Sequence, residues 1–198
     1  MTRLILASQS TARVAMLKHA GLSFEAKPAS IDERAVEAPL IAARQPPCDI
    51  ALALAEAKAV AVSNDEPDAV VIGADQVLEV DGRRWTKPQT MDEARQQLER
   101  LASRQHALHS AVAAGHKGRV VWRHIDTARM TMRALSPGFV DCYLDKVGEV
   151  ALASVGAYQV EGIGIQLFER VDGDFFTILG LPLLPLLSWL RAEKVIPS

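Results

Sequence analysis

Cysteine is scarce: Cys48 and Cys142 are the only two in 198 residues. A disulfide framework is thereby excluded, and although two thiols can in principle pair, the pattern fits a reducing, cytoplasmic compartment. Charge of one sign is also missing. Lys and Arg number 22 against 24 Asp and Glu, for a net charge of -2, and no Lys/Arg block stands out. General affinity for a nucleic-acid polymer is excluded, so any phosphate site must be local. No run suits a membrane: FFTILGLPLLPLLSWL at 175 to 190 is uncharged, but it is too short for a span and holds Pro182 and Pro185. It reads as a core loop and helix. The amino terminus has only the short apolar run LILA, which makes a poor signal peptide. The glycine-rich P-loop and dinucleotide patterns, internal repeats and low-complexity tracts are absent as well.

What is present describes an ordinary globular protein. Hydrophobic residues make up 49% and charged residues 23%, and the length suits one domain, or one with a smaller lobe, with ample core. RLILA at 3 to 7 reads as a buried strand, TARVAMLKHA at 11 to 20 as a helix stopped by Gly21, and LSFEAKP at 22 to 28 as a second strand. The stretch from 30 to 49, marked by Pro46-Pro47, reads as a mobile loop before the helix DIALALAEAKAVAVS. AVVIGA at 69 to 74 is the clearest buried strand, and Asp81-Gly82 a hairpin turn after VLEV. Thr90 and Glu93 form a capping box ahead of the helix MDEARQQLERLAS. Two strands joined by His116-Lys117-Gly118 follow, then a helix opened by Ser136-Pro137. GIQLFERV and DFFTIL flank a turn at Asp172-Gly173 before the last helix. The mixture of β-α-β units and hairpins predicts an α/β fold: a mixed twisted sheet with flanking helices, in two lobes around a central cleft.

Asp75 interrupts VVIGADQVLEV, and a carboxylate at the end of a buried strand needs a partner. Strand ends are also where α/β proteins place chemistry. Asp32-Glu33 adds two carboxylates in the expected loop, and such a set suits a hard divalent cation that bridges phosphates. Between the first strand and helix, Ser8, Ser10 and Thr11 surround a helix amino terminus, an anion-attracting position. Arg13 stands in the first turn, where the helix dipole disfavours a cation unless an anion is near. From this segment alone, a plain Ser10 N-cap with a solvated Arg13 is the commoner arrangement. Lys58 in the AEAKA helix and Lys87 before Pro88 are further candidates for phosphate charge. His106 and His109 are an odd number apart, so on one strand they point to opposite faces and zinc is rejected.

Taken in order, LASQSTAR at 6 to 13, Ile31-Asp32-Glu33, the pattern ending at Lys58-Ala59, Ile72-Gly73-Ala74-Asp75, Lys87-Pro88, Gly156-Ala157-Tyr158 and Gly180-Leu181-Pro182-Leu183 resemble the Maf family of nucleoside triphosphate pyrophosphatases along nearly the full length. The resemblance implies a single domain over 1–198 with the Maf or inosine triphosphatase-like fold. It implies metal-dependent hydrolysis of a nucleoside triphosphate to monophosphate and pyrophosphate, with Mg2+ or Mn2+. Asp75 would be the general base and, with Glu33, would hold the metal; Lys58 and Lys87 would assist catalysis, and Ser8, Ser10 and Arg13 would bind phosphate.

Gln76 and Glu161, followed by GIGIQLFER, resemble the branch that hydrolyses 7-methyl-GTP, where a carboxylate can accept from guanine's N-H groups. Ala12 stands where that branch carries a tryptophan, and a missing stacking platform removes roughly 1–3 kcal/mol. The family's S-G-x-x-H segment reads Ser103-Arg104-Gln105-His106 here. Two alternatives stay open: a broad housekeeping pyrophosphatase, and a non-catalytic nucleotide-binding regulator of cell division. The expected partner is a nucleotide, without nucleic-acid polymer or membrane; a homodimer is allowed.

Overall fold

The computed structural model describes residues 2–197. Its strands are β1 (Arg3–Leu6), β2 (Glu25–Ala26), β3 (Ala69–Val80), β4 (Arg83–Trp85), β5 (Gln105–His116), β6 (Arg119–Met132) and β7 (Phe168–Asp172). They form one sheet in the order β2-β1-β3-β5-β6-β7, with β4 pairing β3 off this path. β1 runs parallel to β2 and β3, while the β3–β4 and β6–β7 pairs are antiparallel. The helices are α1 (Thr11–His19), α2 (Glu33–Ala42), α3 (Pro47–Asp65), α4 (Met91–Leu101), α5 (Pro137–Val147), α6 (Phe175–Ile178) and α7 (Leu183–Ala192). This is the mixed sheet with flanking helices that the sequence predicts. Among the described residues no helix is long and apolar enough to cross a membrane.

The chain divides into two compact units. The first holds the residues up to Gln76, His109–Asp126 and the chain from Asp174 onward; the second holds Val77–Leu108 and Thr127–Gly173.

In the first unit β1 and β3 are buried on both faces, which explains why they read as continuous apolar runs. Leu4, Leu6, Val70, Ile72 and Ala74 pack with Met16 and Leu17 of α1 and with Leu183, Leu186 and Leu190 of α7. Ile5, Ala7, Ala69 and Val71 face the other way, toward Val62 of α3. Glycine is required beneath α3. A Cβ on Gly73 would lie 2.1 Å from the Ala55 carbonyl oxygen and 2.6 Å from the Ala59 nitrogen, and one on Gly115 would lie 2.7 Å from the Ala59 oxygen. The alanine-rich helix therefore seats its backbone directly on the strands. Trp122 of β6 stacks on Trp189 of α7 at 5.3 Å between ring centres.

In the second unit the amphipathic α4 buries Ala94, Leu98 and Leu101 and packs against α5. His106, Tyr158 and Phe168 form an aromatic cluster there.

Four expectations need correction. The stretch from 30 to 49 is not a loop: it holds α2, capped by Asp32, whose Oδ1 accepts from the Ala35 N-H at 3.2 Å, and the start of α3. Pro39 lies inside α2, a position that ordinarily breaks a helix. The second strand shrinks to Glu25–Ala26, the length over which β1 pairs with it. Asp75 sits within one twelve-residue strand rather than at a strand end, because β4 and β5 support β3 beyond Ile72, where its pairing with β1 stops. Residues 175–178 form α6, capped by Asp174, because that carboxylate takes up the Thr177 N-H.

Candidate active site

The first unit gathers most of the expected residues. Ser10 caps α1, its Oγ accepting from the Arg13 N-H at 3.3 Å, and Ser8 Oγ accepts from the Ser10 N-H at 3.2 Å. Arg13 turns its side chain inward. Its Nε donates to Gly180 O at 2.8 Å, and Nη1 donates to Ala74 O at 2.9 Å and Ser8 Oγ at 3.3 Å. Burial lowers the guanidinium pKa, and the Asp75 and Glu33 carboxylates oppose that shift. Arginine stays charged under such conditions, so a buried cation lies beside two acids. Ala12, its neighbour, is half-buried.

Lys58 joins those acids. Its ammonium donates to Asp75 Oδ1 at 2.7 Å and meets Glu33 Oε1 at 2.8 Å. The two oxygens are thus no farther apart than the sum of those distances. Lys58 and Asp75 are each only 13% exposed at the side chain, whereas Glu33 is 52% exposed. The approach of α3 over Gly73 explains the contact, because Gly73 and Asp75 share a strand face and Lys58 adjoins Ala59. Two carboxylates, two cations and two hydroxyls in one neighbourhood form a locally balanced set that can receive a polyanion.

Gln76, next along β3, is held by its amide nitrogen, which lies 2.9 Å from Ser110 Oγ, 3.1 Å from Thr177 O and 2.9 Å from Ile178 O. Ser110 and Thr177 are buried, and sequence reasoning passed over both. The available signal was a lone serine in the apolar run HSAVAAG. Gly180 is held close: a Cβ there would meet Arg13 Nη2 at 3.3 Å.

Lys87 and Glu161 belong to the second unit and are exposed. Lys87 follows β4, and its carbonyl accepts from Gln89 Nε2 at 3.2 Å. Glu161 follows the turn Gly156-Ala157-Tyr158, whose Gly156 N-H donates to Gln97 Oε1 at 3.1 Å. Glu161 contributes to raising the Tyr143 hydroxyl, which burial chiefly pushes up to about 12. His106, 3% exposed, pairs its Nε2 with the Tyr158 hydroxyl at 2.6 Å, and its Nδ1 has no hydrogen-bond partner among the described residues. Burial lowers the His106 pKa to about 4, so the ring is neutral at pH 7.

The donors of Glu33 and Asp75 are oxygens of the kind that Mg2+ and Mn2+ take. Among the described residues no group of three or more His, Cys, Asp or Glu is placed to hold a metal. Two carboxylates are nonetheless enough for a cation whose remaining positions are filled by substrate phosphates and water.

A buried arginine, a lysine and two acids gathered beside one sheet form a charged set of the kind that takes up phosphate groups. The sequence matches the Maf-like protein family over residues 3–193, and the chain belongs to that family. It is 55% identical over 194 residues to the 7-methyl-GTP pyrophosphatase of Brucella abortus biovar 1 (strain 9-941), covering 98% of both chains. It is 58% identical over 188 residues to the 7-methyl-GTP pyrophosphatase of Rhizobium meliloti (strain 1021), covering 95% of this chain and 94% of that one. The nucleoside triphosphate pyrophosphatase of Rhodopseudomonas palustris (strain BisB5) is 50% identical over 193 residues, at 98% and 95% coverage. Among solved structures, the dITP/XTP pyrophosphatase of Mycobacterium abscessus is 14% identical, with a TM-score of 0.45 over 98% of each chain.

Proposed function

We propose that this protein hydrolyses nucleoside triphosphates to the monophosphate and pyrophosphate, with 7-methyl-GTP as the favoured substrate. The observation that carries the reading is the triad in which the Lys58 ammonium holds Asp75 Oδ1 at 2.7 Å and Glu33 Oε1 at 2.8 Å beside the buried Arg13. The identities of 55% and 58% to relatives named 7-methyl-GTP pyrophosphatase support the choice of base.

Asp75 acts as general base: it takes a proton from water as the water oxygen bonds to phosphorus and the bond between the α- and β-phosphoryl groups breaks. Pyrophosphate leaves with the electron pair of that bond. Lys58 stabilises the carboxylate before the transfer, and Arg13, Lys58 and Lys87 offset the charge that builds on the phosphates. Ser8 and Ser10 supply hydroxyl contacts to phosphate. Glu33 and Asp75 would hold a divalent cation, Mg2+ or Mn2+, which supplies charge neutralisation and substrate orientation when bound. Gln76 and Glu161 are the residues that select the base, and the small Ala12 offers it no stacking ring. In this reading the whole chain serves as one domain and works in the cytoplasm on free nucleotides, alone or as a homodimer.

A broader substrate range is the second reading. The 50% identity to a relative named simply nucleoside triphosphate pyrophosphatase and the absence of an aromatic ring at Ala12 favour it. Pyrophosphate release with Mg2+ or Mn2+ from 7-methyl-GTP, GTP, dTTP, UTP, CTP and 5-methyl-UTP separates the two. At least tenfold preference for 7-methyl-GTP is expected. A flat profile would establish the broad enzyme, and no release from any nucleotide would leave a binding regulator in place of a catalyst.

A further inference from the structure

A glutamine amide offers a donor from one end and an acceptor from the other, so its orientation decides what a ligand meets. Around Gln76 that orientation is forced. Thr177 O and Ile178 O, at 3.1 and 2.9 Å, are backbone carbonyls and only accept, so the group facing them must be the amino end. Ser110 Oγ donates its own proton to Thr177 O at 2.6 Å, and it therefore turns a lone pair toward Gln76 at 2.9 Å. Three acceptors surround two N-H bonds. Reversing the amide would set oxygen against two carbonyl oxygens. The turn that carries those carbonyls is itself fixed, because Asp174 Oδ2 accepts from the Thr177 N-H at 2.8 Å and from Thr177 Oγ1 at 3.1 Å. Ser110 and Thr177 are buried, so water does not compete for these bonds.

We propose that Ser110 is a positioning residue which, with the Thr177 and Ile178 carbonyls, locks Gln76 in one amide orientation, so that Gln76 offers a bound nucleotide an acceptor and no donor. The inference rests on the nucleotide reading above and deepens it. A base that presents N-H at that edge, as the N1-H of guanine does, is accepted; one that presents a bare nitrogen there, as N1 of adenine does, is disfavoured.

The test is the ratio of kcat/KM for 7-methyl-GTP over ATP in wild type, Ser110→Ala, Gln76→Ala and the double variant. In Ser110→Ala the two carbonyls still face the amino end, so the side chain loosens without reversing and the ratio should fall roughly threefold. Gln76→Ala should lower it at least as far, and the double variant no further than Gln76→Ala alone. A wild-type ratio in Ser110→Ala, or additive losses in the double variant, overturns the proposal. If Ser110→Ala does not fold, Ser110→Cys fills nearly the same space with a weaker hydrogen-bonding group. A lowered ratio there supports the role, and an unchanged one overturns it. An active wild type whose ratio ignores residue 110 overturns this inference alone, whereas a wild type that releases pyrophosphate from no nucleotide overturns the underlying reading with it.

Discussion

The charged set of the first unit and the aromatic cluster of the second handle buried ionisable groups in opposite ways. Arg13 is surrounded by Gly180 O, Ala74 O and Ser8 Oγ and faces two carboxylates, so it enters the interior as an ion. His106 lies against Tyr158 and Phe168 with one ring nitrogen partnered and the other without a partner among the described residues, so it enters as a neutral ring. Burial opposes charge in both places, and only the supply of acceptors and opposite charge differs. The contrast separates a region that takes charge into its interior from one that excludes it.

Breaking the charged set should have the largest effect. Asp75→Asn keeps nearly the same volume but removes the proposed base, and turnover should drop about 10³-fold, or roughly 4 kcal/mol in barrier. Pyrophosphate release checks it, and wild-type-like turnover would remove Asp75 as base. The neutral ring should respond to acid instead. The folded-state pKa of His106 lies near 4, below its ordinary 6.5. Its contribution is therefore complete above 6.5 and is lost as pH falls toward 4, because the unfolded chain takes up the proton first. The loss amounts to up to about 3 kcal/mol. Urea unfolding of wild type and His106→Gln across that window should show the slope in the first and its reduction in the second. The smallest effect belongs to Tyr158→Phe, which removes the partner of His106 Nε2 and should cost about 1–2 kcal/mol at pH 7 in the same unfolding measurement.

Legibility from sequence followed the range of the interactions. The capping box at Thr90 was readable because its partners are neighbours: Thr90 Oγ1 accepts from the Glu93 N-H at 3.1 Å, and Glu93 Oε2 accepts from the Gln89 N-H at 2.7 Å. The turn at Asp81-Gly82 was equally local, with both residues at positive φ, 50° and 74°. α2 was hidden by Pro39, which argues for a break wherever it falls. The long β3 was hidden because what extends it comes from β4 and β5, and its own apolar run halts at Asp75. In the candidate site, motif order pointed to Arg13, Lys58 and Asp75, but not to what holds them. Arg13 is anchored 167 positions away at Gly180 and Gln76 is anchored 101 positions away at Thr177, and no local pattern announces such pairs.

Those two anchors carry a temporal consequence. Translation delivers Arg13 167 positions before its acceptor Gly180, and Gln76 101 positions before Thr177, with the core leucines of α7 later still. Until then the guanidinium has no carbonyl at position 180 to enter against. The nascent chain must hold β1 uncovered by α7 until residues 174 to 190 are made and the Gly180 carbonyl can meet the arginine. Contacts of such sequence separation fold slowly, so the interval between synthesis and activity is written into the placement of residues 174 to 190.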